Sequence, residues 1–199
     1  ARDTARLETV AAEFTERHGI SVETITADLA NRDDTMRVAQ RLEDAARPVD
    51  MLINNAGFGL HSTALNPAEI DANANAIEVM CTAVFILSGA AARAMKARGS
   101  GRIINVASSS SAIFSGNYSA IKAWARTFTV SLALELRGTG VTATALLGGQ
   151  PAHAAVPLAG LQVTVTKSPW CGCCGDYIEI LRERGMEVTV IDTEDTAGA

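Results

Sequence analysis

The sequence predicts an α/β fold in which a parallel sheet carries helices on both of its faces. Segments with apolar residues at helical spacing alternate with short apolar runs as far as Leu147, an order typical of parallel sheets with crossover helices. The compact apolar run Val49–Asn54 favours a strand that is buried on both faces. After Leu147 the periodicity stops, so we divide the chain into residues 1–149, a linker at 150–160 and a small unit at 161–199.

Capping residues mark the helices and apolar runs mark the strands. Asp3 and Asn31 are suited to cap the first two helices, and Gly19 is suited to end the first. Further helical segments are residues 66–98, with one interruption near Asn73–Asn75, and residues 118–137. The predicted strands are Val22–Leu29, Val49–Asn54, Arg102–Ala107 and Val141–Leu147.

Composition and charge exclude several classes of partner. The net charge of −5, without a long run of Lys or Arg, argues against nucleic acid, because phosphate binding needs clustered cations. The most apolar stretch, Ala83–Ala92, is much shorter than the ~20 residues that cross a bilayer, so we expect no membrane partner. No basic and then apolar leader begins at Ala1, and a cytoplasmic location is therefore expected.

The strongest chemical signal is Tyr118 followed by Lys122 at the start of a long predicted helix. Their spacing of one helical turn places the phenol and the ammonium on the same face, where the cation can stabilise a phenolate. Ser108, at the end of the preceding strand, can hold a substrate oxygen by a hydrogen bond. The three side chains favour proton transfer at the oxygen of a carbonyl whose carbon exchanges a hydride with a nicotinamide, whereas a Tyr–Lys pair alone is often only a solvated pair.

Two further segments carry a resemblance to a known family. The sequence Asn54–Gly57 (NNAG) follows a predicted strand, and Ile103–Ser108 forms the next one; with the Tyr118–Lys122 pair, residues 1–149 resemble the short-chain dehydrogenase/reductase family. The resemblance implies a Rossmann-like doubly wound sheet and an NAD(P)-dependent oxidoreductase that acts on a small-molecule carbonyl or alcohol. The catalytic residues that it implies are Ser108, Tyr118 and Lys122. The cofactor-binding residues that it implies are Asp28, Leu29, Asn55, Ala56, Gly57, Tyr118 and Lys122.

The resemblance also implies preferences of cofactor and partner. Arg2 lies at the position where an arginine suits the 2′-phosphate, which slightly favours NADP over NAD. Family members commonly dimerise through the helix that begins at Tyr118, so a homo-oligomer is the implied assembly.

Several departures from the family pattern imply an incomplete sheet. No counterpart of the family's first strand, glycine-rich turn and helix precedes Ala1, and the family's final strand and substrate-covering helix do not follow Gly149. The missing strands belong between the predicted strands that contain Val22 and Met51, so we expect these neighbours to lose pairing partners. Met80 stands where the family has an asparagine that helps to relay protons. An oxidoreductase that is inactive because it is truncated is therefore one alternative.

The C-terminal unit carries a cysteine cluster, Cys171, Cys173 and Cys174, between two β-like runs. The segment resembles small bacterial proteins with a CGCC motif that are regarded as metal-binding, and its layout resembles the opening βαβ unit of thioredoxin-like domains. Three thiolates suit Cu(I), or Zn(II) with a fourth ligand such as His153, and the CxxC spacing also suits disulfide exchange. A metal-binding or thiol-redox module, and a non-functional fusion of two gene fragments, remain the alternatives to the oxidoreductase.

Overall fold

The computed structural model describes residues 1–60, 65–114, 116–147, 162–167, 182 and 187–192. The chain divides into two compact units, Ala1–Gln150 and Pro151–Ala199. The linker predicted at residues 150–160 lies outside the described residues.

The first helices of this unit begin at the capping residues that the sequence predicts, whereas the helix predicted at residues 118–137 lies at Gly116–Glu135. The α-helices are α1 (Thr4–His18), α2 (Arg32–Leu42), α3 (Ile70–Ile77), α4 (Ala83–Arg98) and α5 (Gly116–Glu135). The Asp3 carboxylate accepts a hydrogen bond from the Arg6 N–H at 3.0 Å, and Gly19 ends α1 with a φ of 65°. The Asn31 side chain accepts from two N–H groups of the first turn of α2. Both predicted N-caps are confirmed.

Three parallel strands form the sheet of this unit. They are β1 (Met51–Asn54), β2 (Gly101–Val106) and β3 (Val141–Leu146), in the spatial order β1-β2-β3. Ile53 is aligned with Ile104, which is aligned in turn with Thr144. Each parallel neighbour is reached through a helical crossover, α3 and α4 before β2 and α5 before β3.

One face of this sheet is buried and the other is exposed. Ile103 and Asn105 are each 1% exposed beneath α4 and α5, whereas Met51 and Ile53 on the opposite face are 42% and 55% exposed. Successive side chains of a strand point to opposite faces, so this alternation means that helices cover one face only among the described residues. The expectation that β1 is buried on both faces, under two layers of helices, is wrong for this part of the chain.

The strand predicted at Val22–Leu29 does not form. The Ala27 N–H donates to the carbonyl of Ala1 at 2.8 Å, and the Thr26 carbonyl accepts from the Arg37 guanidinium at 2.6 Å. Within the described residues β1 pairs with β2 alone, so no strand lies beside Val22–Leu29 to complete a ladder. Val22–Leu29 therefore has no strand partner among the described residues, whereas β1 keeps one, β2.

The helical stretch Pro67–Arg98 is continuous and contains a π-helical turn at Glu78–Thr82. The predicted interruption near Asn73–Asn75 is wrong, because these residues lie inside α3, where the Asn73 side-chain amide also donates to the Glu69 carbonyl at 2.8 Å. By length and composition this stretch could cross a membrane. Its packing is that of a core helix, since Met80 and Met95 are at most 2% exposed.

The described part of the second unit is one pair of parallel strands, β4 (Gln162–Lys167) and β5 (Glu187–Asp192), with Gln162 opposite Glu187. Both strands were predicted. Of the helix predicted between them, only Arg182 is described, and it is helical. Two parallel strands occur in many α/β folds and do not identify a thioredoxin-like unit.

Candidate active site

Ser108, Tyr118 and Lys122 line one cavity of about 380 Å³. This cavity lies at the carboxyl ends of β1 and β2, the edge at which open parallel sheets bind their ligands. Its other lining residues are Asn55, Gly57, Phe58, Gly59, Val106 and Ala107. The structure therefore brings together the three predicted catalytic side chains and part of the predicted cofactor loop.

Ser108 is fixed where β2 ends. The Ala107 N–H still donates to the Leu146 carbonyl at 2.8 Å, and the chain then enters a 3₁₀ turn, Ser109–Ala112. The Ser108 hydroxyl caps this turn by accepting from the Ser110 N–H at 3.1 Å. Since a hydroxyl also carries one donor, the Ser108 O–H remains able to donate to a substrate oxygen.

Lys122 is buried beside Tyr118. The Lys122 Nζ lies 5.7 Å from the centroid of the Tyr118 ring and donates to the Val106 carbonyl at 2.8 Å. Burial lowers the pKa of the Lys122 ammonium below its ordinary value, and the nearby Cys81 thiol partly opposes this shift. An ammonium has three donors, so two N–H groups of Lys122 remain for ligands after the bond to Val106.

A second cavity, of about 260 Å³, contains the rest of the predicted cofactor set. Asp28, Leu29 and Ala56 line it, together with Arg2. The Asp28 carboxylate accepts from the Ala30 N–H at 3.0 Å and lies 3.7 Å from the Arg2 guanidinium. The loop at residues 55–58 contributes to both cavities, so it adjoins each half of the predicted cofactor site.

The π-helical turn carries two residues beside the site: Met80, which the resemblance placed at the position of the family's asparagine, and Cys81, which the sequence did not indicate. Met80 is 2% exposed and packs so close to Gly57 that a Cβ there would lie 3.0 Å from the Met80 sulfur. Cys81 is half-buried, and burial raises the pKa of its thiol to about 11. The Lys122 charge opposes that rise. A π turn inserts one residue into the helical register, which no simple apolar repeat indicates.

The predicted metal ligands Cys171, Cys173 and Cys174, and His153, lie outside the described residues. Among the residues that the structure describes, no cluster of three His, Cys, Asp or Glu side chains could hold a metal ion.

The family model for short chain dehydrogenases matches residues 1–152. The chain belongs to the short-chain dehydrogenase family. Its Rossmann-like parallel sheet and its cavity at the strand ends are those expected of this family, as the resemblance implied.

Known proteins similar to this member of the short-chain dehydrogenase family include bacterial reductases. It is 37% identical over 147 residues to nodulation protein G of Rhizobium meliloti (strain 1021), covering 72% of this chain and 58% of that protein. It is 31% identical over 152 residues to a 3-oxoacyl-[acyl-carrier-protein] reductase of Synechocystis sp. (strain ATCC 27184 / PCC 6803 / Kazusa), covering 75% and 61%. The chain thus spans about three fifths of the length of these curated relatives.

Among solved structures, a short-chain dehydrogenase from Sphingobium yanoikuyae in complex with NADPH superimposes with a TM-score of 0.69. The two sequences are 26% identical, and the match covers 99% of this chain and 78% of that chain.

Proposed function

We propose that the protein is an NADP(H)-dependent oxidoreductase that interconverts a small-molecule carbonyl and its alcohol. The observation that carries the proposal is the convergence of Ser108, Tyr118 and Lys122 on one cavity beside the Asn55–Gly59 loop. A hydroxyl donor, a phenol and a buried ammonium are the groups that proton transfer to a carbonyl oxygen requires.

The residues present fit a dinucleotide. Gly57 leaves no room for a side chain on the side of Met80, which allows the loop backbone to lie against the site. Asp28, Leu29 and Ala56 would hold the adenosine half, and Asn55, Gly57 and Lys122 the nicotinamide half. When bound, the cofactor supplies or accepts the hydride. The Arg2 guanidinium beside Asp28 supports the choice of NADP over NAD.

The chain's own residues move and stabilise the proton. Tyr118 acts as the acid or base at the substrate oxygen, and Ser108 orients that oxygen with its free O–H donor. Lys122 would stabilise negative charge on the Tyr118 oxygen, and its two remaining N–H groups would help to hold the ribose of the cofactor. The bond from Lys122 to the Val106 carbonyl holds the ammonium in place while it does so.

The proposal is tested by mixing the purified protein with NADPH and a carbonyl substrate and following the loss of NADPH absorbance. The Synechocystis relative is named a 3-oxoacyl-[acyl-carrier-protein] reductase, so we propose a 3-oxoacyl thioester, tested as acetoacetyl-CoA, as the first substrate. Tyr118→Phe, which removes a single oxygen, is expected to lower kcat by ~10²- to 10⁴-fold.

Ser108→Ala and Ser109→Ala form a matched pair for the same assay. Both remove one hydroxyl from neighbouring positions, but only Ser108 lines the cavity, and Ser109 is exposed. Ser108→Ala should therefore lower kcat, and Ser109→Ala should not. Absence of saturable NADPH binding, together with no NADPH consumption on any carbonyl of a broad panel, would refute the proposed function.

We also propose that the protein forms a homo-oligomer through an aromatic cluster on α4 and α5. The Trp124 and Phe128 rings stack with their centroids 5.0 Å apart, and the centroids of the Phe85 and Phe128 rings are 5.6 Å apart. The Phe85 residue is 59% exposed. A two-fold dimer buries the same patch on both copies, and aromatic residues are enriched in such interfaces. Sedimentation should show that Phe85→Ser dissociates the oligomer while Phe14→Ser on α1 does not; a monomeric wild type would refute this assembly.

A further inference from the structure

Four polar side chains form a buried hydrogen-bond chain below the candidate active site. Asn54 of β1 donates to Asn105 of β2 at 2.8 Å and to Ser88 of α4 at 3.0 Å. The Asn105 amide donates to the Thr129 hydroxyl of α5 at 3.0 Å, and that hydroxyl donates to the Ala125 carbonyl at 2.6 Å. The four side chains are between 0% and 9% exposed. None of them lines the cavity of Tyr118 and Lys122, although the residues that follow Asn54 and Asn105 in sequence do.

This chain of bonds is directional in a way that apolar packing is not. Apolar side chains of similar volume could fill the same space and tolerate small shifts, whereas hydrogen bonds weaken steeply when donor and acceptor misalign. A fully satisfied buried network therefore specifies one arrangement of the elements that contribute to it. Here it joins β1, α4, β2 and α5.

The network is linked to the site through both β2 and α5. Asn105 immediately precedes Val106, whose carbonyl accepts from Lys122, and Thr129 lies two helical turns after Lys122 on α5. Residues Asn105 and Val106 are thus attached to α5 at two points, ~10 Å apart along the helix axis. A single attachment would leave the helix free to rotate or slide, whereas two attachments determine its rotation and its axial position.

We propose that Asn105 and Thr129 are positioning residues for the proton-transfer site. Their hydrogen bond sets the register of α5 against β2, and it thereby holds Tyr118 and Lys122 opposite Ser108. This inference rests on the proposed function for its catalytic consequence. Its structural part, the placement of Lys122, can be measured without turnover.

The test compares Thr129→Val with Thr129→Ser. Valine keeps the branched shape but removes the hydroxyl, whereas serine keeps the hydroxyl. Val141→Ala is the control, because Val141 lies in the same core but makes no side-chain hydrogen bond. Thr129→Val should lower kcat by ~10- to 100-fold, the loss that a misplaced catalytic group produces, with the KM for NADPH changed less than kcat. The pH profile of kcat should shift in Thr129→Val, and Thr129→Ser should restore both properties.

A second measurement follows Lys122 directly. Lys122 is 7% exposed, so acetic anhydride should acetylate it slowly, and peptide mass spectrometry can measure that rate. Thr129→Val should increase the rate severalfold, whereas Val141→Ala and Thr129→Ser should leave it close to that of wild type. If wild type neither binds NADPH saturably nor consumes it with any carbonyl of the panel, the proposed function fails and the labelling rates alone decide the inference. Unchanged labelling in Thr129→Val, or an equal change in Val141→Ala, would overturn it.

Discussion

Replacing Gly57 with alanine tests how closely the predicted cofactor loop packs against the catalytic helix. A Cβ at Gly57 would lie 3.0 Å from the Met80 Sδ, 3.4 Å from its Cγ and 3.9 Å from the Lys122 Nζ. Nonbonded heavy atoms prefer separations of about 3.5–4.0 Å, so the loop and Met80 must move apart by roughly 0.5 Å. Gly57 is not among the glycines with positive φ, so backbone strain adds nothing to this effect.

The expected cost is at the lower end of the range for overpacking, about 1 kcal/mol of unfolding free energy. Met80 is 2% exposed and packs against Ala76 and Ile121, which prevents it from leaving the site, but its unbranched chain can adjust. Because Lys122 lies close to the same point, affinity for NADPH should fall as well, by about tenfold if the ammonium is displaced at a cost of ~1.4 kcal/mol. Urea denaturation and NADPH fluorescence titration measure the two effects.

The same substitution at Gly89 is the matched control. Gly89 lies inside α4, and its nearest neighbour would be the Arg93 guanidinium at 3.3 Å, the far end of an exposed side chain that can move. Gly89→Ala should therefore stabilise the protein by up to ~1 kcal/mol through helix propensity. In the double variant Gly57→Ala/Met80→Ala the two effects should be non-additive, because the clash is removed with the methionine. Additive free energies, or a Gly57→Ala variant as stable as wild type, would contradict the packing argument.

Three further predictions follow from local chemistry. Burial lowers the pKa of Lys122 from its ordinary 10.5, so the unfolded chain binds more protons than the folded chain between the folded and unfolded pKa values. The unfolding free energy of wild type, measured relative to Lys122→Met, should therefore increase as the pH rises from neutral towards 10.5. A difference that does not change with pH would refute this. Cys81, with a thiol pKa of about 11, should react slowly with iodoacetamide at neutral pH in peptide mapping, and rapid labelling would contradict the burial. Asp3→Ala should increase hydrogen exchange in the first turn of α1 while global unfolding changes little, since α1 has no buried residue; a large global loss would show an unrecognised contact.

Features that depend on neighbouring residues in the sequence were predictable. Asp3 and Asn31 cap their helices because a short polar side chain satisfies N–H groups two or three residues later, whatever the rest of the fold does. The pairing of Tyr118 with Lys122 follows from one turn of helix, and Ser108 reaches the same cavity because strands in a parallel sheet end at the same edge.

Features that depend on a distant partner were not predictable. Val22–Leu29 has the composition of a strand, but a strand needs a neighbour, and β1 supplies none to it among the described residues. Ile53 looks like a core residue in sequence, yet its exposure of 55% is set by which helices cover that face of the sheet. The family resemblance placed Met80 at the site, but the π turn that contains it inserts one residue into the helical register, and the sequence carries no periodic sign of that turn.

The candidate site is built from a continuous part of the chain, and this has a physical consequence. The acid–base residues, the 55–59 loop and the buried hydrogen-bond network all lie between Asn54 and Thr129, and their hydrogen bonds join β1, β2, α4 and α5 to one another. The second cavity instead depends on Ala1, Arg2 and the unpaired segment before α2. A backbone without ladder bonds opens more easily than one inside a sheet, so the two halves of the proposed cofactor site have different local stability. We therefore expect that loosening residues 1–29 leaves Tyr118 and Lys122 in place and lowers only the affinity for the proposed NADPH ligand.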